Sequence, residues 1–140
     1  MKPIFDTQFM EELLQQAAQS PRLRQNYDLR NSSDDQSQQM LNALQMGTVV
    51  PIHRHRSTVE TVVCLCGRIE EIYYEEQVDP ADGKRKLCES ARLLLSPAEG
   101  RMGLQIPAGQ WHSLQVLEPA VILEVKEGAY APLQEEDVVH

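Results

Sequence analysis

Aromatic residues are scarce in this chain, at 5% of the sequence, so its core must rest on Leu, Val, Ile and Met. Cysteine is scarce too. Three residues, an odd number without paired spacing, make no disulfide framework, and reduced thiols are expected. No apolar run approaches the roughly 20 residues that a membrane helix needs. The opening stretch MKPIFDTQFMEELL places acidic residues where a secretion signal would be apolar, and the expected location is cytoplasmic. Positive charge is short as well: 13 Lys and Arg stand against 21 Asp and Glu, a formal net charge of -8. An acidic surface gains nothing from meeting nucleic acid or an anionic membrane, so neither is expected as a partner. A small-molecule ligand stays open, because a local field can differ from the net charge.

What remains is ordinary for one domain: 140 residues, 41% apolar and 24% charged. Residues 7–19 predict an amphipathic helix. Phe9, Met10, Leu13, Leu14, Ala17 and Ala18 recur at helical spacing, Asp6 or Thr7 can cap the start, and Ser20-Pro21 ends it. Residues 22–36 are polar, and residues 38–46 are read as a strand. From Gly47 onward, short β-type runs alternate with turn signals at Gly67, residues 79–83, residues 96–100, Pro107 to Gly109 and Glu118-Pro119. Many short strands at this spacing predict an all-β sandwich or barrel. The expected organisation is a helix and polar arm over 1–36, a barrel over 37–132, and an acidic, frayed tail over 133–140.

The residues that carry chemistry are histidines. His53 and His55 lie two apart, and on a strand such residues point to one face. Two imidazoles therefore aim at one point, as a metal requires. Glu60 follows beyond a short polar turn and can return a carboxylate to the same side. His112 comes after the tight turn Pro107-Ala108-Gly109 and can supply a fourth ligand.

The spacing Gly47, His53, His55, Glu60, Gly67 resembles the first cupin motif at every fixed position. The run Pro107-Ala108-Gly109-Gln110-Trp111-His112 is similar to the second, although Val116 stands where an Asn is common. Four further segments, SPRLRQNYDLR, LNALQMGT, IPAGQWHSLQVL and VILEVKEGAY, resemble the WbuC-type cupins over residues 20–132. Those are small bacterial proteins often associated with O-antigen or polysaccharide gene clusters. The resemblance implies a cupin double-stranded β-helix, a jelly-roll barrel with one N-terminal α-helix, holding a metal through His53, His55, Glu60 and His112. It also implies, by analogy alone, a homodimer.

Three imidazoles and a carboxylate suit one divalent transition metal, Fe, Mn, Ni, Co, Cu or Zn, rather than Ca or Mg. Arg22, Arg24, Asn26 and Tyr27 are candidates for closing over the barrel mouth and holding an anionic or hydroxyl-rich ligand. Otherwise they form a solvated arm. Glu124 and Lys126 alternate with Val121, Leu123 and Val125. If their charged face looks inward they are candidate catalytic residues, base and acid; if outward, a surface pair. Cys64 and Cys66 are read as sharing Glu60's face, and Cys88 as lying in a polar connection. The expected function is metal-dependent action on a small polar metabolite, such as a sugar or sugar acid of polysaccharide metabolism. Two alternatives are a binding or sensing module without turnover, and Fe- or Mn-dependent dioxygen chemistry, which would want an apolar lumen.

Overall fold

A computed structural model describes residues 2–139. Helix α1 spans Thr7–Gln19, as the apolar spacing predicts. The Asp6 carboxylate accepts the Phe9 N–H at 2.9 Å and caps its first turn. A helix of this length is marginal alone in water. Its order comes from one face: Met10, Leu13 and Ala17 pack against Leu41, Ala43 and Val121. Burying side chains of the Leu13 or Leu41 kind is worth about 1.5–3 kcal/mol each.

Six strands follow: β1 (Arg24–Asp28), β2 (Ser37–Leu44), β3 (Glu60–Val78), β4 (Arg85–Leu95), β5 (Gly103–Ile106) and β6 (Trp111–Glu127). They pair antiparallel in the order β1-β2-β6-β3-β4, with β5 on the first part of β3. The polar arm after the helix is thus partly an edge strand. The first part of β3 pairs with β5 and the last part of β6; its second part pairs with β4 and the first part of β6. Between these halves the β3–β6 register shifts three times, near Cys64, Cys66 and Arg68. Bulges of this kind bend and twist a ladder. They let two long strands serve both walls of a jelly-roll barrel. Its interior is filled by Leu44, Val62, Cys64, Ile69, Leu95, Ile106, Val116, Ala120 and Ile122.

Four sequence expectations change. Gly67 and Glu118-Pro119 are bends inside strands, not strand ends. Cys88 lies within β4. Cys64 and Cys66 do not share a face: Cys64 sits opposite Ile122 and Cys66 opposite Val121, since the bulge takes up the residue between them. Cys64 fills the barrel interior and Cys66 packs on the helix side. The tail is not frayed either. The Val139 N–H donates to Ile52 O, the Arg54 N–H donates to Asp137 O, and Asp137 is buried. His140 lies outside the described residues.

Gly67 has φ +84°, and a Cβ there would stand 2.1 Å from the Pro119 carbonyl oxygen. Only glycine allows the two bends to meet. Gly67→Ala should therefore lower folding stability by about 2 kcal/mol or more. Thermal or denaturant unfolding measures this, and an unchanged midpoint would show that the bend tolerates a side chain.

Candidate metal centre

The three histidines arrive from separate stretches and are locked by backbone bonds. His53 pairs with the first residues of β6: its N–H donates to His112 O at 3.0 Å, and the His112 N–H returns to His53 O at 2.9 Å. The Gly109 N–H donates to His55 O at 2.7 Å, tying the turn before His112 to the His53–His55 segment. Gly109 holds φ +80°, a left-handed turn conformation that glycine adopts without penalty. On its other side His53 bridges Val138 of the tail. The tail is held by charge: the Asp137 carboxylate accepts from Arg54 Nε at 2.9 Å and Arg56 Nε at 2.7 Å. Burial raises this carboxyl's pKa, but the two guanidinium groups outweigh it and hold Asp137 below its ordinary value.

These constraints bring one nitrogen each from His53, His55 and His112 within 4.8 Å of one another. Glu60, the first residue of β3, is buried beside them. Its Oε2 lies 3.2 Å from His55 Nε2 and 3.5 Å from His112 Nε2. His53 Nδ1 lies 2.8 Å from Pro51 O, and His112 Nδ1 lies 2.9 Å from Gln110 O. A carbonyl only accepts, so each Nδ1 carries the proton and each Nε2 presents a lone pair. Glu60 Oε2 has no hydrogen-bond partner of proper geometry despite its close neighbours. A carboxylate facing imidazole lone pairs is repelled unless a cation or added protons stand between them.

Burial, followed by the neighbouring His112 imidazole, pushes the His53 pKa down to about 4, which favours its neutral, cation-binding form. A metal ion fits well: neutral imidazoles and a carboxylate are the donors a divalent transition metal takes, and backbone carbonyls that orient the imidazoles are the usual supporting shell. Burial would raise the Glu60 pKa, yet the imidazoles of His112 and His55 and the charge of Lys126 lower it, keeping the carboxylate ionised.

A cavity of about 810 Å³ opens from this cluster. Arg22, Arg24 and Asn26 line it. Tyr27 does not. One step along β1 it faces the other way, and its ring meets Phe9 edge-on at 5.1 Å. Glu124 and Lys126 both line the cavity, and Lys126 Nζ lies 3.4 Å from His55 Nε2. Burial and then the charge of Glu60 raise the Glu124 pKa, while Lys126 opposes them. Pattern alone left the inward face of β6 open. Helix α1 decides it by covering Val121 and Leu123, which turns Glu124 and Lys126 inward.

Sequence reasoning passed over Asn42, Glu71 and Asp137. For Glu71 a signal existed: period two places it between Ile69 and Tyr73, on the core face of β3. Nothing local signalled the pairing of Asp137 with Arg54 and Arg56.

The barrel is similar in fold to solved cupin structures. A structure of KdgF from Halomonas sp. matches with a TM-score of 0.53 at 17% identity, over 79% of this chain and 84% of that one. A cupin superfamily protein from Desulfitobacterium hafniense matches with 0.53 at 16%, over 74% of this chain and 76% of its own. The capsular polysaccharide assembling protein CapF of Staphylococcus aureus matches with 0.56 at 17%, over 81% of this chain but 28% of CapF. At such identities the likeness speaks for the fold.

The chain belongs to the family described as Domain of unknown function (DUF6016), whose profile matches residues 5–83. His53, His55 and Glu60 lie inside that match, and His112 lies beyond it. No curated protein matches the chain.

Asp137→Asn should loosen the His53–His55 segment without touching a candidate ligand. The expected result is a loss of about 1–3 kcal/mol of stability and metal binding weakened about 10-fold. Unfolding and metal titration measure the two, and full retention of both would assign the tail no part in the site.

Proposed function

We propose that this protein is a divalent-metal cupin of the WbuC type, in which His53, His55, Glu60 and His112 hold one transition-metal ion. The carrying observation is the buried Glu60 Oε2, left without a hydrogen-bond partner against two imidazole Nε2 atoms. Fe, Mn, Ni, Co and Zn all suit the donor set.

The proposed activity is enzymatic, on a small polar metabolite such as a sugar or sugar acid of polysaccharide metabolism. A bound ion would supply Lewis-acid polarisation of a carbonyl or hydroxyl oxygen. The protein's own groups supply the rest. Glu124, with its raised pKa, is positioned to take or return a proton at a carbon or oxygen beside the ion. Lys126 offers a cation to an oxygen at the same place, 3.4 Å from His55. Arg22 and Arg24, lining the cavity, attract an anionic end of the ligand. CapF, similar in fold, is a capsular polysaccharide assembling protein, which supports this substrate class. The charged walls also favour it over dioxygen chemistry, which an apolar lumen would suit.

Elemental analysis of protein purified without added metal should find about one transition-metal ion per chain. His55→Ala should remove it. Saturation at about 100 times Kd stabilises a fold by about 2.7 kcal/mol, so a chelator should lower the wild-type melting temperature and leave the variant's unmoved. Full occupancy in His55→Ala would overturn the ligand assignment.

A further inference from the structure

Three buried side-chain oxygens lack a hydrogen-bond partner among the described residues: Glu60 Oε2, Asn42 Oδ1 and Glu71 Oε2. All three residues line the same cavity. The metal reading accounts for Glu60 and leaves the other two. Glu71 is the more anomalous. It is 2% exposed, with Ile69 and Tyr73, its neighbours on the same face of β3, both in the core packing. A carboxyl with one oxygen buried and unpaired in such a place is unfavourable, and leucine would pack there without that penalty. Asn42 stands in the same position on β2. Its face is the interior one, since Leu41 and Ala43 beside it turn outward to α1.

We infer that Glu71 and Asn42 form a second binding point in the metal cavity, which holds hydroxyl groups of a small polyhydroxylated acid. This rests on the proposed function and deepens it by assigning the residues that recognise the substrate's hydroxyls. A hydroxyl both donates and accepts. It can donate to Asn42 Oδ1, and it can serve Glu71 whether that carboxyl is ionised or protonated. Burial, followed by the charges of Glu60 and Glu124, favours the protonated form, which donates as well as accepts. An apolar group would leave both oxygens unpaired. Arg22 and Arg24 line the same cavity and suit the carboxylate of the acid. Asn42 and Glu71 are therefore specificity residues: they separate a hydroxylated acid from a bare one, because a site built for hydroxyls penalises a ligand without them.

The test uses two six-carbon acids that differ in their hydroxyls, gluconate and hexanoate, titrated calorimetrically into the metal-loaded full-length protein. Wild type should bind gluconate at least about 10-fold more tightly than hexanoate. Glu71→Leu should lose that preference and melt no lower than wild type, because it removes an unpaired buried carboxyl. Glu71→Gln, which still donates and accepts, should keep it. Equal affinity of wild type for the two acids overturns the inference. So does a Glu71→Leu variant that still prefers gluconate, or one that melts well below wild type with the Glu71→Gln preference also lost, which would make Glu71 structural. Metal content measured on the same samples tests the other reading separately. A wild type without bound metal refutes the metal centre, whereas a metal-loaded wild type that ignores hydroxyls refutes only this site.

Discussion

A negative oxygen facing neutral imidazole nitrogens inside a protein is held apart by lone-pair repulsion unless positive charge joins them. Glu60 Oε2 faces the Nε2 atoms of His55 and His112 at 3.2 and 3.5 Å, with Lys126 Nζ 3.4 Å from that of His55. Much of the structure around them keeps it so. The carbonyls of Pro51 and Gln110 hold protons on the far nitrogens of His53 and His112. The paired backbone of His53 and His112 stops the rings from drifting apart. The Asp137 ion pairs anchor the outer edge of the same segment. Each is a modest interaction, yet together they hold the three imidazoles and the Glu60 carboxylate in one cluster.

Helix α1 plays an indirect part in shaping the cavity. By taking the apolar faces of β2 and β6 on the outside, it leaves their polar faces to the lumen. Leu41, Ala43, Val121 and Leu123 look toward the helix, whereas Asn42, Glu124 and Lys126 look toward the histidines. The usual expectation of apolar residues inside and polar residues outside is reversed along this part of the barrel. The result is a site wall with a cation, carboxyls and an amide in place of a dry core. Deeper in, Ile122 and Leu44 restore an apolar interior. The cavity therefore has a polar end at the histidine cluster and a packed floor.

The length of β3 and β6 gives the site its reach. Glu60 begins β3 and His112 lies at the start of β6, so in these antiparallel strands the two candidate ligands are far apart in register; Glu60 is opposite Lys126, and His112 opposite Tyr73. Only the bends at Cys64 to Ile69, with Gly67 against Pro119, fold the ladder enough to bring those ends together. The bulge explains why Cys64 and Cys66 part company. It also explains why Gly67 and Pro119 look like breaks in a linear reading although both lie inside strands.

The sequence by itself determined the helix, the β character beyond it, and the four ligand candidates. Those depend on periodicity and on spacing along the chain, which local stereochemistry reads directly. The HxH pair shares a side because strands alternate, and helix α1 ends where Ser20 precedes proline. The tertiary structure alone decided which face of β6 looks inward, that Tyr27 turns to Phe9, that the tail is tied to Arg54 and Arg56, and that Asn42 and Glu71 are buried without partners. Each of these depends on what packs against a residue from a distant part of the chain. Alternation states that two faces differ, and only a contacting element states which of them water can reach.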